Sequence, residues 1–225
     1  MVDSPSVPDY YRPKVEESAQ WANPAVLGLM GFGTTTILAG MAVASNATSN
    51  GLSLYGVTNA PVYAMAIFFG GIAQLIAGII ALRKGEIFPG TAFIGYGAFW
   101  LAFVTLLGGL SIGMLPGPSY AINVGPPAGW DVAWFFVVWA MFTFSFAINS
   151  HKHGIGIAVV FWTLTLAFIL LAIDFGILLG QGGTVSTGLW QATGFEIVFT
   201  GLAAWFVATG VLASAHYGGK KVIPY

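Results

Sequence analysis

After a polar start, the chain alternates long apolar runs with short polar breaks. The runs cover approximately residues 24–45, 60–82, 91–112, 130–149, 155–178 and 190–214. Each reaches the roughly 20 residues that a helix needs to cross the hydrocarbon core of a bilayer. None has the short alternating segments of a membrane β-barrel, and lipid offers backbone polar groups no partner outside helices and closed barrels. The pattern therefore predicts an all-α polytopic membrane protein with six transmembrane helices, multi-pass in a cell membrane.

Composition agrees with this reading. Of 225 residues, 57% are hydrophobic and 7% charged, with a mean hydropathy of +0.83. Soluble domains carry roughly 25% charged residues, which this chain could not match on its surface. Cysteine is absent, which removes disulfides, thiolate metal sites and a cysteine nucleophile. A net charge of −1 gives nucleic acid no electrostatic footing. Residues 1–22 contain Asp3, Asp9, Arg12, Lys14, Glu16 and Glu17 and no apolar core, so they read as a mobile tail and not as a cleavable signal. The expected organisation is a tail over 1–22, a transport domain over 23–215 and a short tail over 216–225.

Charge also sets an expected orientation. The cations are Arg12, Lys14, Arg83, Lys84, Lys152, Lys220 and Lys221. With six spans, all fall on the side that holds both termini, and the positive-inside rule makes that side cytoplasmic. The opposite loops, 46–59, 113–129 and 179–189, carry no Lys or Arg.

Candidate chemistry inside the spans is sparse. No predicted span holds Lys or Arg, which excludes a retinal Schiff base and an Arg-rich voltage sensor. No group of residues has metal-ligand spacing, no phosphate loop is present, and no Ser/His/Asp arrangement stands out, so neither a metal, a cofactor nor an enzyme activity is expected. His151 and His153 flank Lys152 in a short loop, where a solvated cytoplasmic turn is the simpler reading. Two carboxylates remain, Asp174 and Glu196, as candidate proton-coupling groups or as structural acids. Neutral polar residues are more numerous: Thr34, Thr35 and Thr36, then Gln74, Tyr96, Thr143, Thr163 and Thr165. Each can bond between helices. Together they could line a pore that handles a carboxylate without fixed positive charge. Asn23-Pro24-Ala25 reads as a capped helix start, and Gly28, Gly31 and Gly33 leave one face of that helix nearly bare. The capped end is a plausible anion site through its dipole, against a bland reading as a closely packed membrane helix.

Several motifs occur in an order that resembles the acetate uptake transporter family, which includes bacterial and archaeal acetate/succinate permeases and fungal ammonia-and-acetate transport proteins. They are Asn23-Pro24-Ala25 with Leu27-Gly28-Leu29-Met30-Gly31-Phe32-Gly33-Thr34-Thr35-Thr36, Phe68-Phe69-Gly70-Gly71-Ile72-Ala73-Gln74, Tyr96-Gly97 with Phe99-Trp100, and Leu164-Thr165 with Phe168. The resemblance implies a six-helix protomer with its own pore, assembled as a homohexamer and passing acetate and sometimes succinate, as a channel or with protons. It implies a constriction at Phe32, Tyr96 and Leu164, with Asn23, Gln74 and Trp100 as pathway or supporting residues. Val26 stands where the family pattern has a second proline. Two other readings compete. A water or small-solute channel is prompted by Asn-Pro-Ala, but only one copy is present and no intramembrane Arg accompanies it. A non-transporting scaffold fits the glycine-rich packing.

Overall fold

A computed structural model of the chain describes residues 21–45, 59–106, 129–179 and 187–224. Most of the expected N-terminal tail and most of the three cation-free loops lie outside the described residues. Six helices in the described chain are long and apolar enough to cross a membrane. Helix α1 is Ala25–Ser45. Helix α2 runs from Asn59–Ile67 through a π-helical turn, Phe68–Ala73, into Gln74–Arg83. Helix α3 is Ile87–Leu106, and α4 is Gly129–Ser150, continued by a 3₁₀ turn at His151–His153. Helix α5 is Ile155–Ile173 with a second π-helical turn, Asp174–Leu179, and α6 is Thr187–His216.

The start of α1 follows from its sequence. Asn23 Oδ1 accepts the Ala25 N–H at 2.9 Å, and the Gly28 N–H reaches the Pro24 carbonyl at 3.0 Å. Proline occupies the first helical position, where no N–H is required.

Helix α3 begins four residues before the expected 91. Pro89 and Gly90 read as helix breakers, yet Pro89 sits in the first turn, where a missing N–H costs nothing. Gly90 N–H bonds the Glu86 carbonyl at 3.0 Å. The connection from α2 is correspondingly tight. Gly85 turns it at φ 78°, a left-handed conformation that suits glycine, and Lys84 pairs with Glu86 at 3.2 Å.

The glycines of α1 do not form one bare face. A methyl at Gly28 would meet the Phe93 ring of α3 at 2.6 Å, and one at Gly31 the Phe69 carbonyl of α2 at 2.6 Å. One at Gly33 would meet the Gly201 carbonyl of α6 at 2.8 Å. The spacing turns each glycine toward a different neighbour, so α1 is gripped on three sides. Its seam with α6 continues at Gly40, where a methyl would lie 2.7 Å from the Gly194 carbonyl. Small residues at such crossings allow backbones to approach where lipid supplies no hydrophobic drive.

Successive helices run in opposite directions. The residues that gather around one internal cavity come from the beginnings of α1, α3 and α5 and the end of α6. Those around the other come from the later parts of α1, α3 and α5 and the early parts of α2, α4 and α6. The face where α1 begins and α6 ends is here termed basal, and the other distal. Arg83, Lys84, Lys152, Lys220 and Lys221, the described cations, all sit at basal helix ends. An aromatic-rich core of Phe32, Phe93, Tyr96, Phe99, Trp100, Phe136, Phe161 and Phe168 fills the bundle between the two ends.

Candidate functional site

Two cavities lie within the bundle. The basal one has a volume of about 560 Å³, and its wall mixes Leu29, Phe93, Phe161 and Val207 with Asn23, Glu86 and His153. The Phe88 ring stacks on His153 there, with centroids 4.0 Å apart and planes 22° from parallel. The distal cavity is smaller, about 270 Å³, and almost wholly apolar: Phe32, Ala39, Phe99, Phe103, Phe136, Leu164, Ala167 and Phe168 dominate its wall. Thr36 and the indoles Trp100 and Trp190 are its polar wall residues.

Tyr96 lines neither cavity and stands between them. Its ring packs on Phe32 of the distal wall at 5.5 Å and on Phe161 of the basal wall at 6.1 Å. Leu164 follows Phe161 by about one turn of α5 and shares the distal wall with Phe32. Phe32, Tyr96 and Leu164 are all buried. The Tyr96 hydroxyl donates to Thr143 Oγ1 at 3.0 Å, which ties α3 to α4 and fixes the phenol ring. Of the residues expected at a constriction, Phe32 and Leu164 share the distal wall, and Tyr96 packs on Phe32 from between the two cavities.

The threonines divide sharply. Thr34 donates to the Met30 carbonyl at 2.8 Å, Thr36 to Phe32 at 2.7 Å, Thr163 to Val159 at 2.8 Å and Thr165 to Phe161 at 2.8 Å. A hydroxyl has one proton, so these groups have no donor left for an anion. Thr34, moreover, faces an outward groove with Ile37, Met65 and Trp205. Thr143, Thr163 and Thr165 border neither cavity. Helical back-bonding of this kind does not register in a list of polar positions.

Among the described residues, the buried polar atoms without partners on the first three helices are Thr35 Oγ1, Gln74 Oε1 and Trp100 Nε1; the others belong to Asp174, Thr193 and Glu196. Buried polar atoms in native structures nearly always find a partner, so each such atom asks for an explanation. Two of them converge on the first π-helical turn. A methyl at Gly70 would lie 2.8 Å from Trp100 Cδ1 and 2.9 Å from Thr35 Oγ1. The absent side chain makes a niche that the Trp100 ring and the Thr35 hydroxyl already fill, and Trp100 also lines the distal cavity. π-helical turns recur at functional sites, and composition did not mark this one. The Gln74 side chain, almost fully buried, begins the next helical segment.

Asp174 and Glu196 stand outside both cavity walls, although Phe175, Trp190 and Ile197 beside them line the distal one. Glu196 Oε1 accepts from the Thr200 hydroxyl at 3.1 Å, while Oε2 is buried and unpartnered. The distal wall also holds aromatics not singled out from sequence, chiefly Phe136, Phe175 and Trp190. At the capped start of α1, the Ala25 N–H is already taken by Asn23, so that donor is not free for an anion.

Six membrane-crossing helices around paired internal cavities, with no charged residue among the described residues of the distal wall, define a polytopic helical membrane protein. Comparison with known proteins then places it: the chain belongs to the GPR1/FUN34/yaaH family, which it matches over residues 8–218. It is 34% identical to the succinate-acetate/proton symporter SatP of Escherichia coli (strain K12) over 203 residues, 90% of this chain and 94% of that one. It is 31% identical over 211 residues to the ammonia transport outward protein 2 of Saccharomyces cerevisiae, covering 92% of this chain and 67% of that protein. The solved structure of the bacterial acetate channel SatP superposes with a TM-score of 0.73 at 32% identity, over 91% of this chain and 99% of the other.

Proposed function

We propose that this chain carries small carboxylates across a membrane, the monocarboxylate acetate foremost and the dicarboxylate succinate as a second candidate. The path runs from the basal cavity past Phe32, Tyr96 and Leu164 into the distal cavity. The observation that carries the reading is the pairing of an apolar distal chamber with one unpartnered indole N–H, Trp100 Nε1, beside the free Thr35 hydroxyl. An acetate methyl suits the aromatic wall, and its oxygen suits these neutral donors. Neutral donors bind a carboxylate weakly enough for release, which conduction needs. The names of the relatives, an acetate channel and a succinate-acetate/proton symporter, support the same substrate class. The small volume favours a short carboxylate over a long one.

In this reading, Asn23, Glu86 and His153 border the chamber that admits substrate. Tyr96 is the narrow point, and Gln74 supports the niche at Gly70. Thr34, Thr143, Thr163 and Thr165 serve the helices that frame the path. Asp174 and Glu196 are the candidate proton-coupling groups. The basal face is cytoplasmic by the positive-inside argument, with residues 1–22 and 216–225 as cytoplasmic tails of a transport domain at 23–215. Each protomer has its own path, and six protomers form the assembly by family resemblance.

The test is flux into proteoliposomes. Saturable acetate uptake that falls in Tyr96→Ala and exceeds that of protein-free vesicles is expected, without a matching rise in water permeability. Water flux without acetate flux would support a solute channel, and neither flux would support a scaffold.

A further inference from the structure

Asp174 opens the π-helical turn at the end of α5, and none of its surface reaches solvent. Neither carboxyl oxygen has a hydrogen-bond partner. Thr193 on α6, equally sealed, brings its hydroxyl within interaction range of that carboxyl without a well-formed hydrogen bond. The described cations lie at basal helix ends, whereas this pair belongs to the distal half. Of the other titratable groups on the packed elements, His216 stands at the basal end of α6, and those in the distal half are acidic. Helix α4 meets the π-helical turn at Gly176, where a methyl would lie 3.0 Å from Ala133 Cβ, and carries Asp131 in its first turn. Helix α6 carries Glu196, three residues after Thr193. An ionised carboxylate at 174 would be sealed from water, with no cation among the described residues of the distal half to offset it.

The same two helices contribute to the distal end of the apolar cavity, together with Val43 of α1, Val62 of α2 and Phe103 of α3. Phe175, next to Asp174, meets Trp190 edge to face, with centroids 5.1 Å apart and planes at 85°. Trp190 precedes Thr193 by three residues, roughly one turn of α6. Both rings line the cavity. Movement of Asp174 relative to Thr193 therefore moves the aromatic pair with it.

We propose that Asp174 holds an exchangeable proton whose hydroxyl donates to Thr193, and that this bond latches the Phe175–Trp190 closure of the cavity's distal end. Binding takes one proton from water on the distal side and turns the carboxylate into a neutral acid. Release returns that proton and leaves a carboxylate that must seek water, which loosens the π-helical turn and parts the rings. The inference deepens the proposed carboxylate path and rests on it for its flux effect, while the proton site can be read without transport.

Dicyclohexylcarbodiimide provides that independent reading, because it forms a stable adduct with protonated carboxyls in apolar surroundings. In the full-length protein in liposomes, mass spectrometry is expected to find the adduct on Asp174, with a yield falling at least about fivefold from about pH 5 to about pH 8. In flux assays, Asp174→Asn is expected to lose the dependence of acetate uptake on distal pH, and Trp190→Ala to lose it as well. Thr193→Val reports the same dependence if Asp174→Asn does not elute as a folded protein. Absence of the adduct across the range overturns the proton site. An adduct together with an unchanged pH profile in Asp174→Asn overturns the latch. Labelling of Asp174 in a protein that carries no acetate upholds the proton site and rejects the carboxylate path instead.

Discussion

The two cavities are built from opposite materials. The basal chamber is the larger, and polar groups stand on its rim: Asn23 caps α1 there, Glu86 precedes α3, and His153 stacks on Phe88. The distal chamber has half the volume and a nearly continuous aromatic wall, relieved by one indole N–H without a partner. In the proposed path, the first chamber keeps a carboxylate partly hydrated. The second strips water and offers only neutral donors, so discrimination concentrates at the boundary and beyond it. Desolvation without a fixed counter-charge is what lets a small carboxylate both enter and leave.

The largest effect should come from removing the boundary. Phe32→Ala opens the distal wall beside Tyr96 and joins the chambers. Permeability to larger carboxylates relative to acetate is expected to rise about tenfold or more, measured by competitive uptake in vesicles. Next is the lone donor. Trp100→Phe keeps the aromatic volume and removes Nε1–H, and is expected to lower acetate flux about tenfold, the equivalent of one hydrogen bond of about 1.4 kcal/mol. Gly70→Ala pushes a methyl against Trp100 and Thr35, and the same assay should register about a threefold loss as both side chains are displaced.

Smaller changes test the supports. Tyr96→Phe deletes the bond to Thr143 and leaves a buried hydroxyl unpartnered, a cost of about 1 kcal/mol. The thermal midpoint should fall by about 2–4 °C in a detergent melting experiment. The smallest effect belongs to the basal chamber: His153→Ala removes an exposed stack and should change acetate flux by no more than about twofold. A larger effect there than in Trp100→Phe would reverse the assignment of the chambers.

Much of the frame was legible before the fold was known. Hydropathy located all six spans, because lipid allows helices little alternative. The cations marked one face, and the described ones do share it. The start of α3 was missed because Pro89 and Gly90 look like breakers until Pro89 is seen in a first turn. The π-helical turns at Phe68–Ala73 and Asp174–Leu179 leave no mark in an apolar composition, yet they shape the Gly70 niche and the seat of Asp174. Phe32, Tyr96 and Leu164 stood out through family resemblance, since three apolar or aromatic residues among many carry no signal of their own. The threonines show the opposite limit. Their number suggested a polar lining, but the proton of Thr34, Thr36, Thr163 and Thr165 is spent on the helix that carries it.

The chain contains no cysteine, so a single introduced thiol reports without background. Ala39→Cys puts that thiol on the wall of the distal cavity, and Ile169→Cys puts it in an outward groove between α4 and α5. The decisive measurement is acetate flux in vesicles before and after a small thiosulfonate reagent. The account predicts that modification stops flux in Ala39→Cys, that excess acetate slows the modification, and that Ile169→Cys and the unmodified chain are unaffected. Undiminished acetate flux through a fully modified Ala39→Cys protein would contradict a path through the distal cavity.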